Sequence, residues 1–377
     1  MVGARAMILA AAGALALALA VPVRALDIPE PTRKILADLK LDEAILNGLD
    51  NELAVPKDWL DGAKREGNVR LTGSWDADEF KALSAPFLAR YPQIKVSYTR
   101  GSFNARALRP LIAFQEGRYI ADIVTGIGGA MPRYIEANAL DDLRLLPSSK
   151  NVIDGMKSDR GDWIGIRIRY WCMSYNTNKV KASELPKTWE DLLTQPRWRN
   201  GHLALANLPQ LWVLPLWGMY GEEWADRYLK TLFNEVKPQI RKEGANAVLN
   251  LVIAGEFDAA IPSADYRTAR YVERGAPVSW HCPTPLPSAI SEMAILKGSP
   301  NIHAARVFAN WLLSKEGQIA QFRADRATPI HKDLQTKTFL MFPDEIAGKT
   351  IAFRDPGLED LHDELLNIWN PLWEKVQ

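Results

Sequence analysis

From residue 56 onward, apolar positions repeat alternately with helical and with strand spacing. Pro56 predicts the start of a helix running through Ala63, and Gly67 its end. Val69 to Gly73 reads as a strand. Asp76 to Tyr91 reads as a helix with Phe80, Leu83, Phe87 and Leu88 on one face, followed by a strand over Ile94 to Tyr98. A helix is expected from Ser102, started late or kinked by Pro110. A buried-type strand over 121–125 and a short helix over 133–139 follow. Such alternation predicts an α/β fold with a mostly parallel sheet and helices on both faces.

Trp163 to Tyr175 is a long extended segment, read as the crossing from one α/β unit to the next. The second set is expected as helix 189–193, strand 203–206, helix 245–254, strand 258–262, helix 266–274 and strand 277–280. Strand 288–296 then leads to an amphipathic helix over 302–313 and another from Lys315 to Phe322. The chain is expected to close on strand 351–355 and helix 358–369. Ahead of all this, 26–55 carries Leu36, Leu39, Leu46 and Leu49 at helical spacing. It reads as a helical extension packed on the outside of the first unit.

The first residues change the picture. Arg5, an apolar run from Ile8 to Val21 and the small residues of Val23-Arg24-Ala25 have the form of a cleavable export signal over 1–25. Its removal takes Arg5 and Arg24 with it, so the formal +1 becomes −1. Lys and Arg total 46 against 45 Asp and Glu, with no basic run, which argues against nucleic acid as the partner. Cys172 and Cys282 lie in no CxxC motif, so zinc or thioredoxin-like chemistry is not expected. No GxSxG or HExxH occurs either, and the chain reads as a non-enzyme without a cofactor.

Six blocks occur in order: DWLDGAKREGNVRLTGSW, RYPQIKVSYTRGS, YWCMSYNTNKV, LPKTWEDLL, AAIPSADYRTARYVERGAPVSW and SEMAILKGSPNIHAARVFANWLLSKEGQ. Over roughly residues 56–335 the chain resembles the family 1 extracellular solute-binding proteins of ABC importers, in the branch that includes ferric-ion-binding proteins. The resemblance implies two doubly wound lobes of the type II periplasmic-binding-protein kind. Two crossing hinge strands would join them, with the ligand in the cleft between. Lobe one would comprise 56–168 and 289–377, and lobe two 169–288. It further implies a periplasmic monomer that presents its ligand to an inner-membrane ABC permease. A periplasmic sensor serving a receptor kinase is the alternative.

Open α/β sheets bind ligands beyond the carboxyl ends of their strands. Those places hold Ser74 and Trp75, Ser102 and Asn104, Thr125 and Gly126, and Asp265 and Tyr266. Backbone N–H groups there suit an anion at a helix start, although Ser74, Ser102 and Asp265 also fit simple N-caps. Arg167 and Arg169 share one face of the first crossing strand. In the ferric-binding relatives a basic residue on this strand sits near the cleft, so Arg169 is the preferred anion contact and Arg167 the next. Those relatives often carry paired tyrosines where this chain has Asp265-Tyr266. Only Tyr266 would serve a ferric ion, and no metal site is otherwise expected. The ligand stays open between a small organic or phosphorus-containing anion, Fe(III) with a synergistic anion, and a polyamine. If the crossing strands are neighbours, a disulfide between Cys172 and Cys282 is geometrically open to them; two buried free thiols are the alternative.

Overall fold

The computed structural model describes residues 27–354 and 356–376. The expected export signal lies outside them. In chain order the strands are β1 Asn68–Gly73, β2 Lys95–Arg100, β3 Ile123–Thr125, β4 Ile164–Asn176, β5 Leu203–Ala206, β6 Gln239–Arg241, β7 Ala259–Ala264, β8 Val278–His281, β9 Leu286–Ile295 and β10 Ile351–Arg354. They follow the path β2-β1-β3-β9-β4-β7-β5-β6, with β10 beside β9 and β8 beside β4.

Strand β4 serves two sheets. Residues 164–170 run antiparallel to β9, with Tyr170 opposite Ser288. Residues 171–175 pair with β7, with Trp171 opposite Ala264, and the end of the strand also pairs with β8. The change of partner falls between Tyr170 and Trp171. At about 3.3 Å per residue, 13 residues span both lobes. The run IGIRIRYWCMSYN is buried along most of both faces, with Arg167 and Arg169 the charged exceptions to its apolar pattern. Strand β9 is the second crossing, antiparallel to β3 at its far end. Lobe one is therefore built on β1, β2 and β3, and lobe two on β5, β6 and β7, each set parallel within itself.

Local chemistry explains most boundaries. Helix Lys57–Glu66 starts after Pro56 and ends at Gly67, whose φ of +66° is the left-handed C-terminal conformation that glycine adopts without strain. Helix Ala77–Arg90 begins where Glu79 accepts the Asp76 N–H at 2.9 Å. Helix Ile302–Leu313 buries most of its surface, packing on helix Lys57–Glu66. The helix expected from Ser102 is instead a π-turn over Asn104–Leu108 followed by helix Arg109–Gln115. Pro110 has no N–H to offer the carbonyl of Arg106, which accepts the Thr72 hydroxyl at 3.2 Å instead.

Helices Val213–Tyr220 and Glu222–Thr231 were not expected. The sequence VLPLWGMY is apolar nearly all round, so it carries no helical stripe to read. The C-terminal stretch also departs from the expectation that placed all of 289–377 in lobe one. Helix His362–Lys375 packs on lobe two: Trp369 Nε1 donates to Asn207 Oδ1 at 2.7 Å, and its ring lies 5.1 Å from that of Phe233. Trp369 and Trp373, one turn apart, make the apolar edge that meets Phe233.

The N-terminal extension packs on lobe one. Leu36, Leu46 and Leu49 join Ile319 and Phe322 of helix Lys315–Asp325 in one buried cluster. Buried Glu316 ties the parts together, accepting from Thr32 Oγ1 at 2.6 Å, Arg90 Nη2 at 2.8 Å and Trp311 Nε1 at 2.8 Å. Cys172, on β4, and Cys282, just past β8, are bonded, with Cα atoms 5.1 Å apart. Among the described residues no helix is long and apolar enough to cross a membrane.

Candidate functional site

A cleft of about 350 Å³ opens where the two sheets meet the crossing strands. Lobe one contributes Ser74 after β1, Arg106 from the π-turn and the glycines after β3. Lobe two contributes Tyr266 and Arg267 from the first turn of helix Asp265–Val272. Strand β4 supplies Arg169 and Trp171, β9 supplies Ser291 and Glu292, and the C-terminal stretch supplies Arg354 and Glu359.

The charges are set by packing. Arg169 lies with its guanidinium carbon 4.7 Å from the Tyr266 ring centroid, and Nη2 is 3.5 Å from Asp325 Oδ2. Arg267 faces the same ring at 5.3 Å and reaches Asp76 at 3.6 Å. Arg106 donates from Nε to Gly126 O at 2.9 Å and from Nη1 to Gly101 O at 3.2 Å. Burial lowers its guanidinium below the usual value. Arg354 pairs with Glu359 at 2.8 Å. Burial pushes against ionisation of Glu359, yet His362 and Arg354 hold its carboxyl below the ordinary value. Glu292 is 3% exposed. Desolvation, aided by the charge of Glu359, raises its carboxyl to about 6.

Of the expected contacts, Ser74, Gly126, Arg169 and Tyr266 line the cleft. The other six stand off its wall. Arg167 is sealed beneath it: the guanidinium pairs with buried Asp325, donates to Ser291 Oγ at 3.2 Å and Ser74 Oγ at 3.3 Å, and lies 4.2 Å from the Trp75 ring. Trp75 is wholly buried under that guanidinium. Thr125 is also buried and donates to Thr72 O at 3.0 Å. Asp265 is buried as well, and its Oδ1 accepts the Tyr170 N–H at 3.2 Å. Ser102 and Asn104 are exposed around the π-turn and do not line the cleft.

Sequence reasoning missed Arg106, Trp171, Arg267, Glu292, Arg354 and Glu359. Trp171 follows Arg169 by two on the same strand face, a spacing that could have found it. Glu292 is an acid inside an apolar strand, which is a signal in itself. Arg354 and Glu359 arrive by long-range packing, and nothing in their local sequence points to the cleft.

Five buried polar atoms of cleft residues have no protein partner: Nε of Arg169, Arg267 and Arg354, Nε1 of Trp171, and Oε1 of Glu292. Four are donors and one is an acceptor. Native proteins satisfy nearly all such groups, each unmet one costing about 1–3 kcal/mol. The unpartnered groups of the cleft are thus mostly donors, three of them on guanidiniums.

A metal finds less. Among the described residues, one group of His, Cys, Asp and Glu atoms comes close enough to hold an ion: Glu52, His331 and Asp333. It lies away from the cleft, and Lys315 Nζ sits 3.6 Å from Glu52 and 3.5 Å from Asp333, where a cation would be. In the cleft, Tyr266 is flanked by two guanidiniums rather than by a second phenol.

Residues 73–319 match the family described as bacterial extracellular solute-binding protein. The major ferric iron-binding protein of Neisseria meningitidis (serogroup A) is 31% identical over 169 residues, 42% of this chain and 50% of that protein. The chain spans about half the length of the curated relatives it matches. Among solved structures, iron-bound HitA of Pseudomonas aeruginosa superposes with a TM-score of 0.65 at 22% identity, covering 81% of this chain and 99% of that one. AfuA of Actinobacillus pleuropneumoniae, with fructose-6-phosphate bound, gives 0.62 at 20%, covering 82% and 99%. These likenesses show the two-lobed type II periplasmic-binding fold.

Proposed function

The chain belongs to the bacterial extracellular solute-binding proteins, and on that premise we propose that it captures a small organic or phosphorus-containing anion in the interlobe cleft for an ABC importer. The reading is of binding without turnover, by a monomer exported to the periplasm on the segment at 1–25 and docking on an inner-membrane permease. Ligand contacts from both lobes would favour the closed form over the open one.

One observation carries the ligand class. Arg169 and Arg267 converge on Tyr266, with unpaired guanidinium N–H donors on both. Guanidiniums bind phosphate and carboxylate through paired, charge-assisted hydrogen bonds. The same pair repels a trivalent cation, and the single phenol is half of the tyrosine dyad that suits one. The structural neighbours include one with iron and one with a sugar phosphate, so the fold accommodates both and this chain's own side chains decide.

The test is to purify the protein from the periplasm without denaturant and identify what it carries by mass spectrometry and metal analysis. An organic or phosphorus oxyanion near one per chain supports the reading. Ferric iron at one per chain overturns it.

A further inference from the structure

The cleft is lined by two chemically different sets of side chains, and we propose that they select a phosphate ester of a polyhydroxy compound, with Glu292 holding its hydroxyls. This rests on the anion-binding reading above and adds what lies at the other end of the ligand.

The first set is Arg169 and Arg267 against Tyr266, with the Ser74 hydroxyl. Arg167 lies directly behind Ser74, with its own charge matched by Asp325. A dianionic phosphate fits two guanidiniums here better than a single carboxylate does. The second set is different. Glu292 comes from β9, is almost wholly buried, lines the cleft and has one carboxyl oxygen without a partner. Its neighbours around the same wall are Glu359, Arg354 and Arg106. Two acids and two guanidiniums balance, so this set calls for a neutral polar group.

Three kinds of group could meet Glu292. A second anion would face an acidic oxygen. An ammonium would suit the acid only when ionised and would lie near Arg106 and Arg354. A hydroxyl both donates and accepts, and so fits Glu292 in either protonation state. That breadth matters because burial lifts this carboxyl to about 6, close to neutral pH. Trp171 and Phe103 flank the space and offer apolar faces to the carbon skeleton of a polyol. A volume of about 350 Å³ stands at the small end of the ~300–1,000 Å³ of small-molecule sites.

The test is calorimetric titration of the purified protein with sorbitol 6-phosphate, n-hexyl phosphate and inorganic phosphate. The two esters share a phosphate and a six-carbon chain and differ in hydroxyls. Sorbitol 6-phosphate is expected to bind at least about ten-fold tighter than n-hexyl phosphate, since a site built for a hydroxyl is left with an unpaired group without one. Glu292→Ala and Glu292→Gln are expected to shrink that ratio, the alanine variant more. Equal binding of the two esters by the wild-type protein overturns this inference and leaves the anion reading standing. Failure of all three phosphates to bind overturns this inference, and the anion reading falls with it if citrate and other small carboxylates also fail. The wild-type comparison needs no variant, so a misfolded mutant does not blunt it.

Discussion

Arg169 lies with its guanidinium 4.7 Å from the ring centroid of Tyr266, a contact that joins the crossing strand to the first turn of a lobe-two helix. The same side chain reaches Asp325, at the end of a lobe-one helix, at 3.5 Å. A ligand phosphate or carboxylate at this point would touch both lobes through one residue.

Removal of Arg169 should therefore weaken anion binding well beyond its effect on folding. Charge-assisted hydrogen bonds contribute about 1.5–3 kcal/mol, so Arg169→Ala is expected to lower affinity by roughly 10- to 150-fold. Calorimetry reads this directly. Arg169→Lys should recover only part of the loss, because a point charge replaces a planar fork.

Arg167 predicts the opposite balance. Its guanidinium is buried against Asp325 and over Trp75, away from the cleft. Burial lowers it only to about 10, so it stays charged at neutral pH. Arg167→Ala takes from buried Asp325 its nearest charge partner, leaves it Arg169 at 3.5 Å, and is expected to destabilise the fold by about 3 kcal/mol. In denaturant titrations the double variant with Asp325→Ala should lose less than the sum of the two single losses.

Asp265 predicts a pH effect. Burial, with one carboxyl oxygen unpartnered, raises it to about 7 from an ordinary 3.8. Between those values the folded chain holds a proton that the unfolded chain has released. Stability from this group therefore falls as pH rises through that window and is lost above about pH 7. Asp265→Asn, which can still accept the Tyr170 N–H, should flatten the profile and melt higher than wild type at pH 8. A steeper profile in the variant would contradict the assignment.

The sheet and most helices were legible because breakers and periodicity agreed. Strand 203–206 and helices 245–254 and 302–313 fall within the expected limits at both ends. Helix Val213–Tyr220 was not, because a helix buried on every side has no polar face to mark it. In the cleft, Ser74, Gly126 and Tyr266 could be found because strand ends converge there, and Arg169 because a strand fixes its face. The same rule pointed to Trp75 and Thr125, but a strand end does not say which way the next side chain turns. Arg167 shows the limit of shared faces: Ser74 and Asp325 close over it and leave Arg169 as the one in the cleft. Glu359 reaches the Gly128-Gly129 turn from the C-terminal stretch, which Trp369 and Trp373 anchor on lobe two and the Arg354 pair holds at the cleft. That is tertiary packing without a local signature.

The bond between Cys172 and Cys282 closes a loop of 110 residues around lobe two. Replacing both cysteines with serine is expected to cost about 2–5 kcal/mol of stability. The loss should appear in denaturant unfolding of the oxidised protein, while a wild-type sample treated with reductant should move towards the variant.

The most direct measurement is a thermal-shift screen of the purified protein against small oxyanions, ferric salts and polyamines, repeated with Arg169→Ala and Tyr266→Phe. A ligand that binds only the folded chain raises the melting midpoint, by more as its concentration exceeds its Kd. The account predicts that a phosphate or carboxylate compound raises the midpoint and that Arg169→Ala abolishes the rise. A rise with ferric iron alone, removed by Tyr266→Phe and indifferent to Arg169→Ala, would contradict it.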